Sequence, residues 1–199
     1  MNKKKALAHI ATIQSGLSAA NHREIAEVKP GFIEVVCLNG NNLLENGLVQ
    51  FNENDLKKVC IEQGRLDGHV LLENDILLMA RGSNFRAAIF HETDLEISSI
   101  ASPNIFVIRC KDGVLPEVIV SFINSSHGQA LMDEISIGST VRGLSISSLK
   151  NLEINVPEAE QQKLISSIFY ANIEALGLLN KLKVQQKLTV EASLQQLMM

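Results

Sequence analysis

The stretch Asp75-Ile76-Leu77-Leu78-Met79-Ala80-Arg81-Gly82-Ser83-Asn84-Phe85-Arg86-Ala87-Ala88-Ile89-Phe90 decides the architecture. Two short apolar runs, Asp75–Ala80 and Arg86–Phe90, flank the polar loop Arg81–Phe85, the pattern of a hairpin-like pair of strands. Upstream, Phe32–Leu38 is rich in β-branched residues and bounded by Pro30-Gly31 and Asn39-Gly40, so it predicts a strand entering a turn. Downstream, Asn104–Arg109 predicts a buried strand closed by the turn Lys111-Asp112-Gly113. Pro116 suits the first turn of a helix, where its missing N–H costs nothing, and Val118, Ile119, Phe122 and Ile123 give that helix an apolar stripe. Ser125-Ser126 ends it and caps another over His127–Glu134. Ser145 or Ser147 caps a short helix to Leu149, and Glu153–Val156 is a last strand. Strands followed by helices, with no regular βαβ rhythm, indicate an α+β fold on a mixed sheet.

The composition changes at Pro157. Beyond it the chain has no proline and only Gly177 as glycine, which predicts one long helix over 158–199 appended to a domain over 1–157. Ile165, Ile168, Leu176, Leu179 and Leu182 recur at helical spacing, with Leu164, Phe169 and Ile173 alongside and Asn172 interrupting the seam. At ~1.5 Å per residue such a helix spans ~60 Å, too long to bury its stripe on a domain of this size, so a partner helix is expected.

Of 199 residues, 46% are apolar and 20% charged, the composition of a globular chain able to fold without disulfides or a metal. Cys37, Cys60 and Cys110 are widely spaced, with no C-x-x-C, and read as reduced buried thiols. No apolar run approaches the ~20 residues of a membrane span. The stretch after Lys3-Lys4-Lys5 is broken by His9, Thr12 and Gln14, unlike a secretory signal. A cytoplasmic location is the default expectation, and without a secretory signal the sequon Asn124-Ser125-Ser126 is read as chance. The net charge of −4 argues against a bulk nucleic-acid binder. The excess acid lies wholly before residue 158, where 14 basic residues face 18 acidic ones.

Catalytic patterns are absent from the sequence. There is no Gly-rich phosphate loop, and Gly16-Leu17-Ser18 and Gly143-Leu144-Ser145 lack the second glycine of a nucleophile elbow. His9, His22, His69, His91 and His127 are isolated, without metal-ligand spacing. Two polar loops containing arginine stand out instead, Arg81–Arg86 and Gly138–Ser145. Glycine permits close backbone approach, serine and asparagine offer hydrogen bonds, and arginine can reach a phosphate or bind guanine bidentately. Solvated turns would have the same composition, and spacing does not separate the two readings.

The order of these segments resembles the specificity subunits of type I restriction-modification systems. Leu72–Ser83 resembles their "gDiLlsrrGs" strand and loop. Asn104–Arg109 with Leu115-Pro116-Glu117 matches the next strand and helix start, and Ser126-His127-Gly128-Gln129 the "s.yGq" helix opening. Gly138-Ser139-Thr140-Val141 with Leu144-Ser145 matches "GST...ls". Asn151–Pro157 with Glu160-Gln161 matches "l..i.iPlp...EQ", and Ile13-Gln14-Ser15-Gly16 fits the usual domain opening. The pattern departs at Arg142-Gly143, where relatives often carry a proline-containing turn.

The resemblance implies a non-catalytic subunit, a target recognition domain followed by a spacer helix, reading half of a bipartite double-stranded DNA sequence. It implies Arg81, Gly82, Ser83, Asn84 and Arg86 on the DNA side, with Ser139, Thr140 and Arg142 as a second contribution. The partners implied are methylation subunits, which carry S-adenosylmethionine, and a restriction subunit, with ATP and Mg also confined to partners. Family members commonly carry two recognition domains and two helices, so this chain resembles a half-subunit. A two-fold homodimer pairing the helices as an antiparallel coiled coil would restore the usual architecture, and a truncated longer gene is the rival explanation. The alternative function is a protein-interaction adaptor, or a degenerate remnant, without DNA recognition.

Overall fold

The computed structural model describes residues 3–17, 30–51, 56–92, 97–138 and 142–198. Its central antiparallel sheet runs in the order β2 (Ala11–Ser15), β8 (Ile105–Cys110), β5 (Ile76–Met79), β6 (Ala87–Ile89). A second sheet places β3 (Phe32–Leu38) between β4 (Lys58–Glu62), antiparallel, and β7 (Ser99–Ala101), parallel. β1 (Lys3–Ala6) pairs with β9 (Glu153–Val156), so the start of the chain closes against the strand that precedes the tail. The helices are α1 (Leu7–Ile10), α2 (Pro116–Asn124), α3 (Ser126–Ile135), α4 (Ile146–Lys150) and α5 (Ala159–Met198).

Strand periodicity explains why the apolar runs are continuous. Successive side chains point to opposite faces, so a strand covered on both sides is apolar at every position. In β5, Ile76 and Leu78 enter a core shared with Ile119, Ile123 and Met132 of the helices, whereas Leu77 enters a second core with Val36, Leu38 and Ala101. β8 divides the same way, Phe106 and Ile108 against Ile105 and Val107. The outer face of β3, Val35 and Cys37, forms a third cluster with Val59 and Ile61. The order is therefore helices, central sheet, second sheet and outer loops.

The α+β expectation holds, and so do the hairpin of β5 and β6, the Pro116 helix start and the tail helix. Ser125 caps α3 by accepting from Gly128 N–H (3.0 Å), and Ser145, not Ser147, caps α4 by accepting from Ser148 N–H (2.9 Å). β1, β2, β4 and β7 have no counterpart in the sequence expectations. They are three to five residues long, and β1 is lysine-rich. Lysine on a short edge strand deters pairing with another chain, which hides the strand from a hydrophobicity criterion.

Cys37, Cys60 and Cys110 are free thiols, the first two buried. Burial, reinforced by the charges of Glu117 and Asp75, pushes the Cys110 thiol up to about 12. Since only the thiolate is nucleophilic, Cys110 should resist iodoacetamide at pH 8 in the native chain and react once it is denatured, as read by intact mass.

Only the first third of α5 rests on the domain. Gln162 is buried; its Nε2 donates to Gly113 O and Pro157 O (3.0 Å each) and its Oε1 accepts from Leu115 N–H (2.9 Å). Phe169 packs against Gly47 so tightly that a Cβ there would lie 2.9 Å from the ring. From Glu174 to Met198 every residue is exposed. Among the described residues no helix is long and apolar enough to cross a membrane.

Candidate nucleic-acid interface

The loop between β5 and β6 is held from three directions. Phe85 is wholly buried in the helix-side core and pins the far end of the loop. β6 is the last strand of its sheet; on its outer side Ile89 bonds the backbone of Gly47 and Val49, while side-chain amides meet the backbone nearer the loop. Asn124 accepts from Ala87 N–H (2.9 Å) and donates to Ala87 O (2.8 Å), and Gln129 bonds Phe85 N–H (3.2 Å) and Phe85 O (3.1 Å) in the same manner. Two carboxamides thus stand in for a missing strand, satisfying groups that burial would otherwise leave unpaired. Gln129 reaches this position because α3 crosses the end of α2 at Gly128, where a Cβ would lie 1.9 Å from Phe122 O.

The second arginine loop lies beside the first. Ile137 and Gly143 exchange backbone hydrogen bonds at 2.9 Å, and Gly143 also bridges to Arg81. Gly82 N–H donates to Arg142 O (3.1 Å) and Leu144 N–H to Ala80 O (2.8 Å). Gly82 holds φ +134°, a conformation that L side chains rarely adopt. Gly143 donates its own N–H to Ile137 O (2.9 Å); a proline there would lose that bond.

At this end of the central sheet Arg81, Ser83 and Asn84 are exposed, and their side chains have no partner among the described residues. Arg142 is half-exposed, its Nη1 paired with Asp133 (2.5 Å) and its Nη2 donating to Ser83 O (3.3 Å), so it ties the two loops together. Arg86 is placed differently: Nη1 donates to Leu43 O (2.5 Å) and Nε is buried. Its guanidinium turns inward and braces the hairpin from behind. Ser139, Thr140 and Val141, like His22, lie outside the described residues.

At the opposite end of β5, Asp75 is 1% exposed and receives both Nε and Nη2 of Arg109 at 2.7 Å, with Leu72 N–H as a third donor. That carboxylate closes the turn before the strand, and the hydrogen bond to it raises the Arg109 guanidinium above its ordinary range. Among the described residues no three His, Cys, Asp or Glu side chains form a group that could hold a metal. Of the histidines, His91 is engaged through Nδ1 with Glu73 (2.6 Å) and through Nε2 with Tyr170 (3.2 Å).

Sequence reasoning missed the two supporting amides and Gln162. Gln129 stood inside the quoted Ser126–Gln129 segment, and Gln162 follows Glu160-Gln161, of which neither is buried. An amide in a motif is a detectable sign of backbone bonding, although its target is set only by the fold.

Residues 4–189 match the pattern of the type I restriction modification DNA specificity domain. The chain belongs to that family. The HsdS subunit from Thermoanaerobacter tengcongensis is similar in fold, with a TM-score of 0.59 at 13% identity over 90% of this chain and 39% of that one. A chain from a structure of complex assembly and conformational transition of the type I R-M system is also similar, with a TM-score of 0.63 at 13% identity over 92% and 41%. This specificity-domain chain therefore spans about two fifths of the solved chains it matches. No curated protein matches it. The specificity family is non-catalytic and supplies DNA recognition to restriction-modification systems.

Proposed function

We propose that this specificity domain reads one half of a bipartite double-stranded DNA target through the paired loops and docks methylation subunits that carry the chemistry. The observation that carries the proposal is the convergence of two separate arginine loops at one end of the central sheet, with Arg81, Ser83 and Asn84 exposed there and Arg142 joining them. Ser139 and Thr140 belong to the same loop and join the proposed contact set. Arg86 contributes as a brace. S-adenosylmethionine, ATP and Mg are assigned to partner subunits, a restriction subunit among them, and the chain works in the cytoplasm.

The exposed length of α5 is proposed to pair antiparallel with that of a second copy. At 3.6 residues per turn, Gln162, Ser166, Phe169 and Ile173 face the domain. Leu164, Ile168, Ala171, Ala175, Leu178 and Leu182 follow a four–three repeat on the opposite side and are exposed. Ile168 and Leu182 lie on that seam and Leu179 flanks it, whereas half-buried Ile165 and exposed Leu176 lie toward the domain side. A two-fold axis through this seam sets two recognition domains at opposite ends, reading identical inverted half-sites.

The net charge of −4 means that little non-specific phosphate attraction comes from this chain, so the test uses the complex reconstituted with its methylation subunits. Arg81→Ala should weaken specific binding by ~1–3 kcal/mol and relax preference at one base position, as titration against single-base variants would show. Arg86→Ala should lower the melting temperature instead. Unchanged specific binding by both Arg81→Ala and Arg142→Ala would remove the loops from the interface and favour the adaptor alternative.

A further inference from the structure

Beyond the reading loops, the structure holds a second group of polar side chains whose placement the proposed DNA contacts leave unexplained. It lies where α5 leaves the domain. Glu117 of α2 is 6% exposed; its Oε1 accepts from Ser166 Oγ (3.2 Å), and its Oε2 is buried with no partner among the described residues. One turn further along α5, the Tyr170 hydroxyl meets His91 Nε2 (3.2 Å), while His91 Nδ1 is 2.6 Å from Glu73 Oε1. Tyr170 Oη and His91 Nε2 share one hydrogen bond, and the tyrosine hydroxyl also lies against the Glu117 carboxylate. Glu73 is itself fixed, since its Oε2 accepts from Glu92 N–H (2.5 Å). Burial first, then the Glu117 carboxylate, pushes the Tyr170 hydroxyl up to about 12, so it stays a donor at neutral pH.

Hydrophobic contact does not account for this arrangement. Phe169 against Gly47 and Val120 already supplies the apolar seat, and a half-satisfied buried carboxylate costs free energy. What polar contacts add is direction, because hydrogen bonds fix angles that apolar packing leaves loose. Their location makes direction consequential. His91 follows β6 and Phe90, and the other end of β6 is the reading loop, so one strand links that loop to the last anchored turn of α5. Beyond it, residues 174–198 project ~37 Å at ~1.5 Å per residue. With one domain seated on its half-site, a tilt of ~10° at the elbow moves the far end of α5 by ~6 Å, about two base-pair rises of ~3.4 Å.

We infer that Tyr170, His91 and Glu73, together with Ser166 on Glu117, form a positioning elbow that sets the exit angle of the spacer helix and thereby the separation of half-sites the dimer accepts. The inference rests on the bipartite-DNA proposal for its consequence, and on the side-chain geometry alone for the elbow.

The test compares wild type with Tyr170→Phe/Ser166→Ala, which removes two hydroxyls and keeps Phe169 and Gln162. DNA duplexes carrying the selected half-sites at systematically varied separation are offered to the reconstituted complex. Wild type should prefer one separation over its neighbours by about tenfold or more, whereas the variant should fall below about threefold with its base preferences unchanged. A variant that keeps the wild-type preference overturns the inference. A second arm needs no DNA: spin labels on ketone side chains at positions 62 and 183, diluted with unlabelled chain, report the domain–helix distance. Its distribution should broaden in the variant, and an unchanged width overturns the elbow. If the double variant does not fold, Tyr170→Phe alone is measured in both arms. If wild type selects no half-sites, the DNA proposal fails while the distance arm still decides the elbow.

Discussion

Leu179→Asp with Leu182→Asp should convert the chain from a dimer to a monomer across the micromolar range, with the domain still folded. Both side chains are exposed on a part of α5 where nothing of the domain covers them, 59% and 62% respectively. Burying a leucine yields ~1.5–3 kcal/mol, and a two-fold interface counts each substitution twice. Leu182 alone, lost from both copies, removes about 3 kcal/mol at the lower figure, about two decades in dissociation constant, and flanking Leu179 adds to it. Sedimentation velocity reads the oligomeric state, and circular dichroism should keep the strand signal while losing part of the helical one. A monomeric wild type at high concentration would sink the antiparallel pairing.

Gly128→Ala should cost about 3 kcal/mol of stability, at the upper end of what overpacking usually costs. The added methyl would meet the carbonyl oxygen of Phe122 at 1.9 Å and that of Ile123 at 2.8 Å, both backbone atoms that cannot swing aside. Relief requires α3 to lift from the end of α2, which withdraws Gln129 from Phe85. The loss should therefore appear in denaturant midpoint and also in sequence-specific DNA binding. Gly64→Ala, where the new Cβ meets nothing within 4 Å, is the matched control and should be neutral. Equal midpoints for the two variants would show that α3 does not cross α2 as described.

Much of the fold was legible because its strongest signals are local. Ile76–Met79 and Ile105–Cys110 are apolar on both faces, Pro116 marks a helix start, and the proline-free tail from Ala159 could only be helix. β4 and β7 were not legible, since their identity as strands comes from pairing with Phe32–Leu38 across long sequence separations. In the candidate interface the sequence singled out Arg81, Ser83, Asn84 and Arg142 but could not say that their loops adjoin. That depends on Gly143 bridging to Arg81 across some sixty residues of chain. Nor could it separate Arg81 from Arg86, identical in type and five positions apart, because only the fold turns one outward and spends the other on Leu43 O. The elbow was invisible for the same reason: Glu73, His91, Glu117 and Tyr170 belong to four different elements or turns.

The most direct measurement of DNA reading is selection from a random pool of double-stranded DNA by the complex reconstituted with methylation subunits. Enrichment of two identical, inverted half-sites at a fixed separation, with one base position relaxed by Arg81→Ala, is the expected result. Recovery of no enriched sequence, or of half-sites indifferent to both Arg81→Ala and Arg142→Ala, would contradict it.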